Sequence, residues 1–160
     1  MNHVTLLVGG NLGNRMENIR QALDYIEERI GKIKQRSSVY ESEPWGFETE
    51  HRFLNAVVVV ETALSPEAVL REAHAIEDIM GRTRNGNGYT SRTMDIDILF
   101  FNDDVINTPT LTVPHPRLHE RRFVLLPLAE IMPDKVHPVL GKSIKDLLTT
   151  PLDAPSLSIP

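Results

Sequence analysis

The sequence predicts an α+β domain, in which short strands alternate with amphipathic helices. Two observations support this class. Apolar runs of strand length occur at residues 4–8 and 57–60. One segment between these runs and one after them have apolar residues that recur every three or four positions, as in helices with one buried face. The length of 160 residues suits one domain. We expect it to span residues 1–150, followed by a disordered tail at 151–160, which has three prolines and no periodic pattern.

The first half of the chain predicts a strand, a helix and two further strands. Residues 4–8 form the first strand, which Gly9-Gly10 ends. Asn14 is suited to cap the following helix, since Glu17 lies three positions later as in a capping box. The apolar stripe of this helix consists of Ile19, Leu23, Ile26 and Ile30. We expect a second strand at 32–40 and a third at 53–62, whose continuous apolar run indicates burial on both faces.

The next segments complete a repeating order of elements. Residues 41–51 carry Pro and Gly among charged residues and predict a long loop. Ser65 begins a second helix with Pro66 at its first position. The apolar stripe of that helix consists of Val69, Ala73, Ile76 and Met80. A loop rich in Gly and Arg is predicted at 82–92, and a fourth strand at 94–101. The order β-α-β-β-α-β is that of the ferredoxin-like arrangement.

Additional elements follow this ferredoxin-like core. Short strands are predicted at 105–106 and 111–113. Residues 123–131 predict a helix that Pro127 interrupts, and residues 143–148 predict a short last helix. We therefore expect a ferredoxin-like βαββαβ core with extra C-terminal strands and helices.

The composition excludes several classes of function. The formal net charge is −5 and the pI is about 5.7, which argues against nucleic-acid binding through a large basic surface. The absence of Cys excludes disulfides, thiolate metal sites and a Cys nucleophile. The sequence has no membrane-length apolar stretch and no signal-peptide pattern. We therefore expect a cytoplasmic protein that is a monomer and binds neither nucleic acid nor membrane.

Asp95 and Asp97 lie two residues apart in the fourth predicted strand, so both side chains project from one face. Adjacent like charges repel each other, and a divalent cation such as Mg²⁺ relieves that repulsion. Arg82, Arg84 and Arg92 lie just before them and suit phosphate binding. Two interpretations stay open on this segment alone. One is a metal–phosphate site, and the other is a solvated strand face in which the carboxylates pair with Arg.

Several separate segments together resemble one family, the 6-hydroxymethyl-7,8-dihydropterin pyrophosphokinases of folate biosynthesis. The resemblance covers roughly residues 4–148 and is most specific in Arg92-Thr93-Met94-Asp95-Ile96-Asp97 and Val113-Pro114-His115. The other matching segments are 8–14, 40–46, 53–56, 81–82, 111–116 and 121–124.

The resemblance implies a Mg²⁺-dependent transferase that moves pyrophosphate from ATP to the hydroxymethyl group of the pterin, with AMP and the pterin diphosphate as products. It implies two Mg²⁺ ions held by Asp95 and Asp97, with Arg82 and Arg92 as further catalytic residues. The implied nucleotide-binding residues are His74, Arg84, Ile98, Thr112, His115 and Arg121. The implied pterin-binding residues are Ser42, Pro44, Trp45, Phe53, Asn55 and Phe123.

Several of these residues also have ordinary structural interpretations. A lone His such as His115 can be a structural hydrogen-bonding group, and Phe123 can be a core residue. The role of Arg84 stays open, and Glu77 can be catalytic or structural. Two alternative functions also stay open. One is a non-catalytic ferredoxin-like module that binds a small ligand, and the other is a simple kinase that forms ADP.

Overall fold

A computed structural model of the chain describes residues 1–42, 53–81, 94–149 and 157–158. These residues form a mixed α/β structure with one large antiparallel sheet and helices on both of its faces. The strands are β1 (Asn2–Gly10), β2 (Lys32–Arg36), β3 (Tyr40–Ser42), β4 (Phe53–Thr62), β5 (Asp95–Phe101), β6 (Ile106–Asn107), β7 (Thr112–Val113) and β8 (Leu157–Ser158). The helices are α1 (Arg15–Arg29), α2 (Pro66–Ile79), α3 (Arg122–Ile131) and α4 (Ile144–Thr149), with a 3₁₀ turn at Leu118–Glu120.

The large sheet has the strand order β5-β1-β4-β3-β8, and β2 also pairs with β4. Every pairing between these strands is antiparallel. Strand β1 therefore lies between β5 and β4, and β5 forms one edge of the sheet. A separate hairpin joins β6 and β7.

Two apolar cores lie on opposite faces of the sheet. On one face, α1 and α2 pack against alternate residues of the strands, among them Val8, Leu54 and Ile96. On the other face, α3 and α4 pack against residues such as Val57 and Leu99. Because side chains alternate along a strand, neighbouring residues of β4 such as Val57 and Val58 enter different cores. This arrangement explains why β4 is apolar along most of its length, as the sequence predicts.

Local signals place the helix starts and β4 where the sequence predicts them. Asn14 caps α1 by accepting a hydrogen bond from the Glu17 N–H, and Ser65 caps α2 by accepting one from the Ala68 N–H. Strand β4 has the predicted bounds. These agreements follow from interactions between residues close in sequence.

The single strand predicted at 32–40 is wrong, because the structure divides it into β2 and β3. The Ser37 hydroxyl accepts the Val57 N–H at 2.9 Å. In a regular ladder, a backbone carbonyl of the neighbouring strand would accept that N–H. The Ser38 N–H donates instead to the carboxylate of Glu130 on α3, at 3.0 Å to each oxygen. The backbone thus leaves the sheet between Arg36 and Tyr40. Residues 41 and 42, predicted as loop, belong to β3.

Other differences are smaller. Helix α3 continues through Pro127 instead of being interrupted there, and Pro127 is buried. Strand β8 lies inside the segment 151–160 that the sequence predicts as a disordered tail, and it pairs with β3. Most of the predicted loops at 41–51 and 82–92 lies outside the described residues. Within the described part of the chain, no helix is long and apolar enough to cross a membrane.

Candidate active site

A cleft of about 370 Å³ lies along the outer edge of β5. Helix α2, strand β5 and the segment around β7 form its walls. The cleft brings together six of the residues selected from the sequence, which are His74, Asp95, Asp97, Ile98, Thr112 and His115. Glu77 and Thr110 line it as well. These residues come from three separate parts of the chain, so the fold gathers them into one place.

The two aspartates are half-buried in this cleft, while Ile96 between them is buried in the core beneath α1 and α2. Glu77 on α2 is 1% exposed, and its carboxylate accepts the Ile96 N–H at 2.8 Å. A carboxylate is costly to bury unless it is hydrogen-bonded. Glu77 therefore fixes the backbone of β5 at the residue that separates Asp95 from Asp97.

His115 lies against the same strand. The backbone N–H of His115 donates to the Leu99 carbonyl of β5 at 3.0 Å. On its side chain, the ring nitrogen Nδ1 accepts the backbone N–H of Arg117 at 3.2 Å. Burial lowers the pKa of His115 to about 4, with a further contribution from the nearby positive charge of Arg121, while Asp95 acts in the opposite direction. The imidazole is therefore neutral near pH 7, and it can donate one hydrogen bond through its other ring nitrogen.

A second group of the selected residues lies on β3 and β4. Asn55 and Ser42 are 5% and 4% exposed, and Asn55 Nδ2 donates to Ser42 Oγ at 3.3 Å. Phe53 is half-buried and lies directly opposite Ser42 in the strand register. This polar pair inside an otherwise apolar sheet can recognise the hydrogen-bonding edge of a flat ligand.

A single cross-strand row connects the two groups. In the register, Asp95 lies opposite Gly9, and Gly9 lies opposite Asn55. A Cβ atom on Gly9 would overlap Asn55 Oδ1 and would lie 2.7 Å from the Leu54 carbonyl oxygen. Gly9 thus leaves the space that the Asn55 side chain occupies. The sequence predicts that Gly9 ends the first strand, but Gly9 lies within β1, where a glycine often marks such a close approach.

The start of α3 contributes two more selected residues. The Arg121 guanidinium lies 5.6 Å from the centre of the Phe123 ring, within the range of a cation–π contact. Phe123 is half-buried, with its ring packed at the margin of the core beneath α3 and α4. The other selected residues, Pro44, Trp45, Arg82, Arg84 and Arg92, lie outside the described residues.

The donor set around Asp95 and Asp97 is small. Among the residues that the structure describes, no group of three or more His, Cys, Asp or Glu side chains is placed to hold a metal ion. Mg²⁺ commonly takes one or two protein carboxylates and completes its shell with substrate phosphates and water. The pair of carboxylates fits that kind of site and does not fit a metal site made of protein ligands alone.

Comparison with known proteins gives concordant matches. The sequence model of the family 7,8-dihydro-6-hydroxymethylpterin-pyrophosphokinase matches residues 5–133. The chain is 42% identical over 133 residues to a 2-amino-4-hydroxy-6-hydroxymethyldihydropteridine pyrophosphokinase of Porphyromonas gingivalis, covering 81% of this chain and 90% of that protein. It is 41% identical over 143 residues to the Aquifex aeolicus protein of the same name, covering 89% and 88%.

A solved structure resembles the fold as a whole. The Plasmodium falciparum HPPK-DHPS wild-type crystal structure with pteroate superposes with a TM-score of 0.76 at 20% identity. The match covers 92% of this chain and 42% of that longer chain.

Proposed function

The chain belongs to the 7,8-dihydro-6-hydroxymethylpterin-pyrophosphokinase family, and from this premise we propose how its residues carry out the reaction. The enzyme transfers pyrophosphate to 6-hydroxymethyl-7,8-dihydropterin in folate biosynthesis, with ATP as co-substrate. The bond between the β-phosphorus of ATP and the α–β bridging oxygen breaks, and that oxygen stays on AMP. The β-phosphorus forms a new bond to the pterin hydroxyl oxygen. AMP and the pterin diphosphate result, and the hydroxyl proton is released.

We base this proposal on one observation, the row that places Asp95, Gly9 and Asn55 side by side on three neighbouring strands. Neighbouring strands are about 4.8 Å apart, so the Asp95 and Asn55 backbones are separated by roughly 10 Å. That spacing suits a pterin held at Asn55 with its hydroxymethyl group directed across Gly9. The triphosphate then lies in the cleft along β5, beside Asp95 and Asp97.

Asp95 and Asp97 are the residues that would hold Mg²⁺. When bound, two such ions neutralise the triphosphate and make the pterin hydroxyl more acidic. Glu77 acts through the backbone between these two aspartates, because its carboxylate accepts the Ile96 N–H. We therefore propose a positioning role for Glu77, which is the structural one of the two alternatives that the sequence left open.

Five further residues bind the nucleotide in this proposal. His115, neutral near pH 7, donates a hydrogen bond to a phosphate oxygen, and Arg121 adds positive charge beside it. Ile98, Thr112 and His74 line the cleft where the nucleoside lies. Positioning and charge neutralisation are the main requirements of phosphoryl-type transfer, so this set needs no covalent intermediate.

Arginines that the family resemblance implies make the remaining contacts with the nucleotide. Arg82 and Arg92 bind the triphosphate as guanidinium forks, and Arg84 adds a third positive charge. We expect Pro44 and Trp45 to line the pterin pocket together with Ser42 and Phe53. Phe123 stacks on the pterin ring, because two flat aromatic rings favour an offset-stacked arrangement.

We also propose that the core has the ferredoxin-like topology and that residues 1–150 form one domain. The strand order β5-β1-β4-β2, with all pairings antiparallel and with α1 and α2 on one face, supports this. Helices α3 and α4 then cover the opposite face as additions to that core.

The experiment that tests the function is ³¹P NMR of the purified protein with Mg²⁺, ATP and 6-hydroxymethyl-7,8-dihydropterin. Pterin-dependent formation of AMP and a pterin diphosphate is the expected result. Formation of ADP would identify a simple kinase, and intact ATP in a folded sample that binds pterin would identify a binding module. Asp95→Ala is the inactive control, and Asp104→Ala, at an exposed turn residue, is the matched control that keeps activity.

A further inference from the structure

The carboxylate of Glu130, in the last turn of α3, joins that helix to the segment between β2 and β3. It accepts the Ser38 N–H at 3.0 Å to each oxygen and the Ser38 hydroxyl at 3.0 Å. It also accepts the Tyr40 hydroxyl at 2.8 Å. One side chain therefore holds Ser38 and Tyr40, which are 92 and 90 residues away from it in sequence.

The two elements that Glu130 joins carry the two sides of the proposed pterin pocket. Tyr40 lies opposite Asn55 in the strand register, and Ser42 follows two residues later on the same face of β3. On the helix, Phe123 precedes Glu130 by seven residues, or about 10 Å along the axis. The position of β3 relative to α3 thus determines the gap between the Asn55–Ser42 pair and the Phe123 ring.

The protonation states of Tyr40 and Glu130 strengthen the hydrogen bonds of this contact. Burial and the neighbouring Glu130 carboxylate raise the pKa of Tyr40 to about 12, so its hydroxyl remains a donor. Burial acts to raise the pKa of Glu130, but the hydrogen bonds from Tyr40 and Ser38 outweigh it and lower that pKa. Glu130 is therefore ionised near pH 7, and hydrogen bonds to an ionised acceptor are stronger than those between neutral groups.

We propose that Glu130 is a positioning residue for pterin binding, holding β3 at the distance from α3 that the flat ring requires. This inference rests on the proposed function, because it assumes that the pterin lies between Asn55 and Phe123. Glu130 itself contacts neither substrate in this arrangement. Its effect passes through Tyr40 and Ser38 to the neighbouring strand.

The test compares Glu130→Gln with the wild-type protein. Glutamine keeps the size of the side chain but removes its negative charge. It also replaces one carboxylate oxygen with an NH₂ group, which is a donor and cannot accept the Ser38 N–H. We expect the KM for pterin, and its dissociation constant from fluorescence titration, to rise roughly tenfold. The KM for ATP should stay unchanged. Tyr40→Phe, which removes one hydroxyl, should raise the pterin KM by a smaller factor in the same direction.

Glu27→Gln is the matched control. Glu27 is also an exposed helix carboxylate that accepts a backbone N–H, that of Ile33 at 3.0 Å, but it lies on α1 away from the pterin residues. Both Gln variants should unfold at slightly lower urea concentration, and the pterin KM should rise in Glu130→Gln alone. An unchanged pterin affinity in a folded Glu130→Gln protein would overturn the inference, as would an equal change in Glu27→Gln. Absence of pyrophosphoryl transfer in the wild-type protein would instead overturn the proposed function.

Discussion

Replacing Gly9 with alanine tests the row that connects the two halves of the site. An alanine Cβ at this position would overlap Asn55 Oδ1 and would lie 2.7 Å from the Leu54 carbonyl oxygen and 3.1 Å from Asn55 Cγ. The Asn55 amide is flexible and is displaced, whereas the Leu54 contact is with backbone and can be relieved only by a costly shift between β1 and β4. The hydrogen bond of the Asn55 amide to Ser42 is lost when the amide moves.

The size of the effect follows from these contacts. Overpacking in a core costs about 1–3 kcal/mol of stability. Displacing an amide that hydrogen-bonds to a ligand costs about 1–3 kcal/mol of binding, which corresponds to a rise of roughly 5-fold to 150-fold in the pterin dissociation constant. We therefore expect Gly9→Ala to fold with reduced stability and to bind pterin weakly.

The assay is fluorescence titration with pterin, combined with urea unfolding of the same variants. Gly31→Ala is the matched control, because its added Cβ would overlap the Glu61 carbonyl far from the pterin residues, and it should lose stability without losing pterin affinity. In Gly9→Ala/Asn55→Ala the two losses should be less than additive. Wild-type pterin affinity in Gly9→Ala, together with a large loss in Asn55→Ala, would refute the reasoning.

Three other predictions concern separate parts of the protein. Asp95→Ala and Asp97→Ala should each lower turnover roughly 10³-fold or more, as measured by AMP formation; near-normal turnover would contradict the metal assignment. Phe123→Ala should weaken pterin binding in equilibrium titrations and leave ATP binding unchanged. Burial and then His119 lower the pKa of His137, whose Nδ1 accepts two backbone N–H groups. The His137 imidazole therefore takes up a proton at a higher pH in the unfolded chain than in the folded protein. The free energy of unfolding, measured with urea, should then fall as the pH drops below about 6.5, and it should fall less steeply in His137→Gln.

The parts of the fold that the sequence predicts correctly depend on local interactions. The Asn14 and Ser65 caps and the bounds of β4 follow from residues a few positions apart. The alternation of Asp95, Ile96 and Asp97 likewise follows from strand geometry alone. Such features need no knowledge of the rest of the chain.

The errors lie where distant residues decide the structure. The break between β2 and β3 depends on the Ser38 contact with Glu130, 92 residues away. The pairing of β8 with β3 also joins distant segments. The role of Gly9 depends on the register of β1 with β4, which no local pattern specifies. In the site, the sequence selected the individual residues, but the cleft and the Asp95–Gly9–Asn55 row required the sheet order.

The sheet order also predicts how substitutions affect kinetics. Two substrates must be held at a fixed separation for the transfer, and adjacent strands of one sheet provide a more rigid spacing than separate loops. Strand β5 carries the residues assigned to the triphosphate, whereas β3 and β4 carry those assigned to the pterin. Changes at Asp95 or Asp97 should therefore lower kcat, and changes at Ser42 or Asn55 should raise the pterin KM. A variant of Asn55 that lowers kcat without affecting pterin affinity would show that the two sets of residues are not separated in this way, because the amide would then act on the reacting groups.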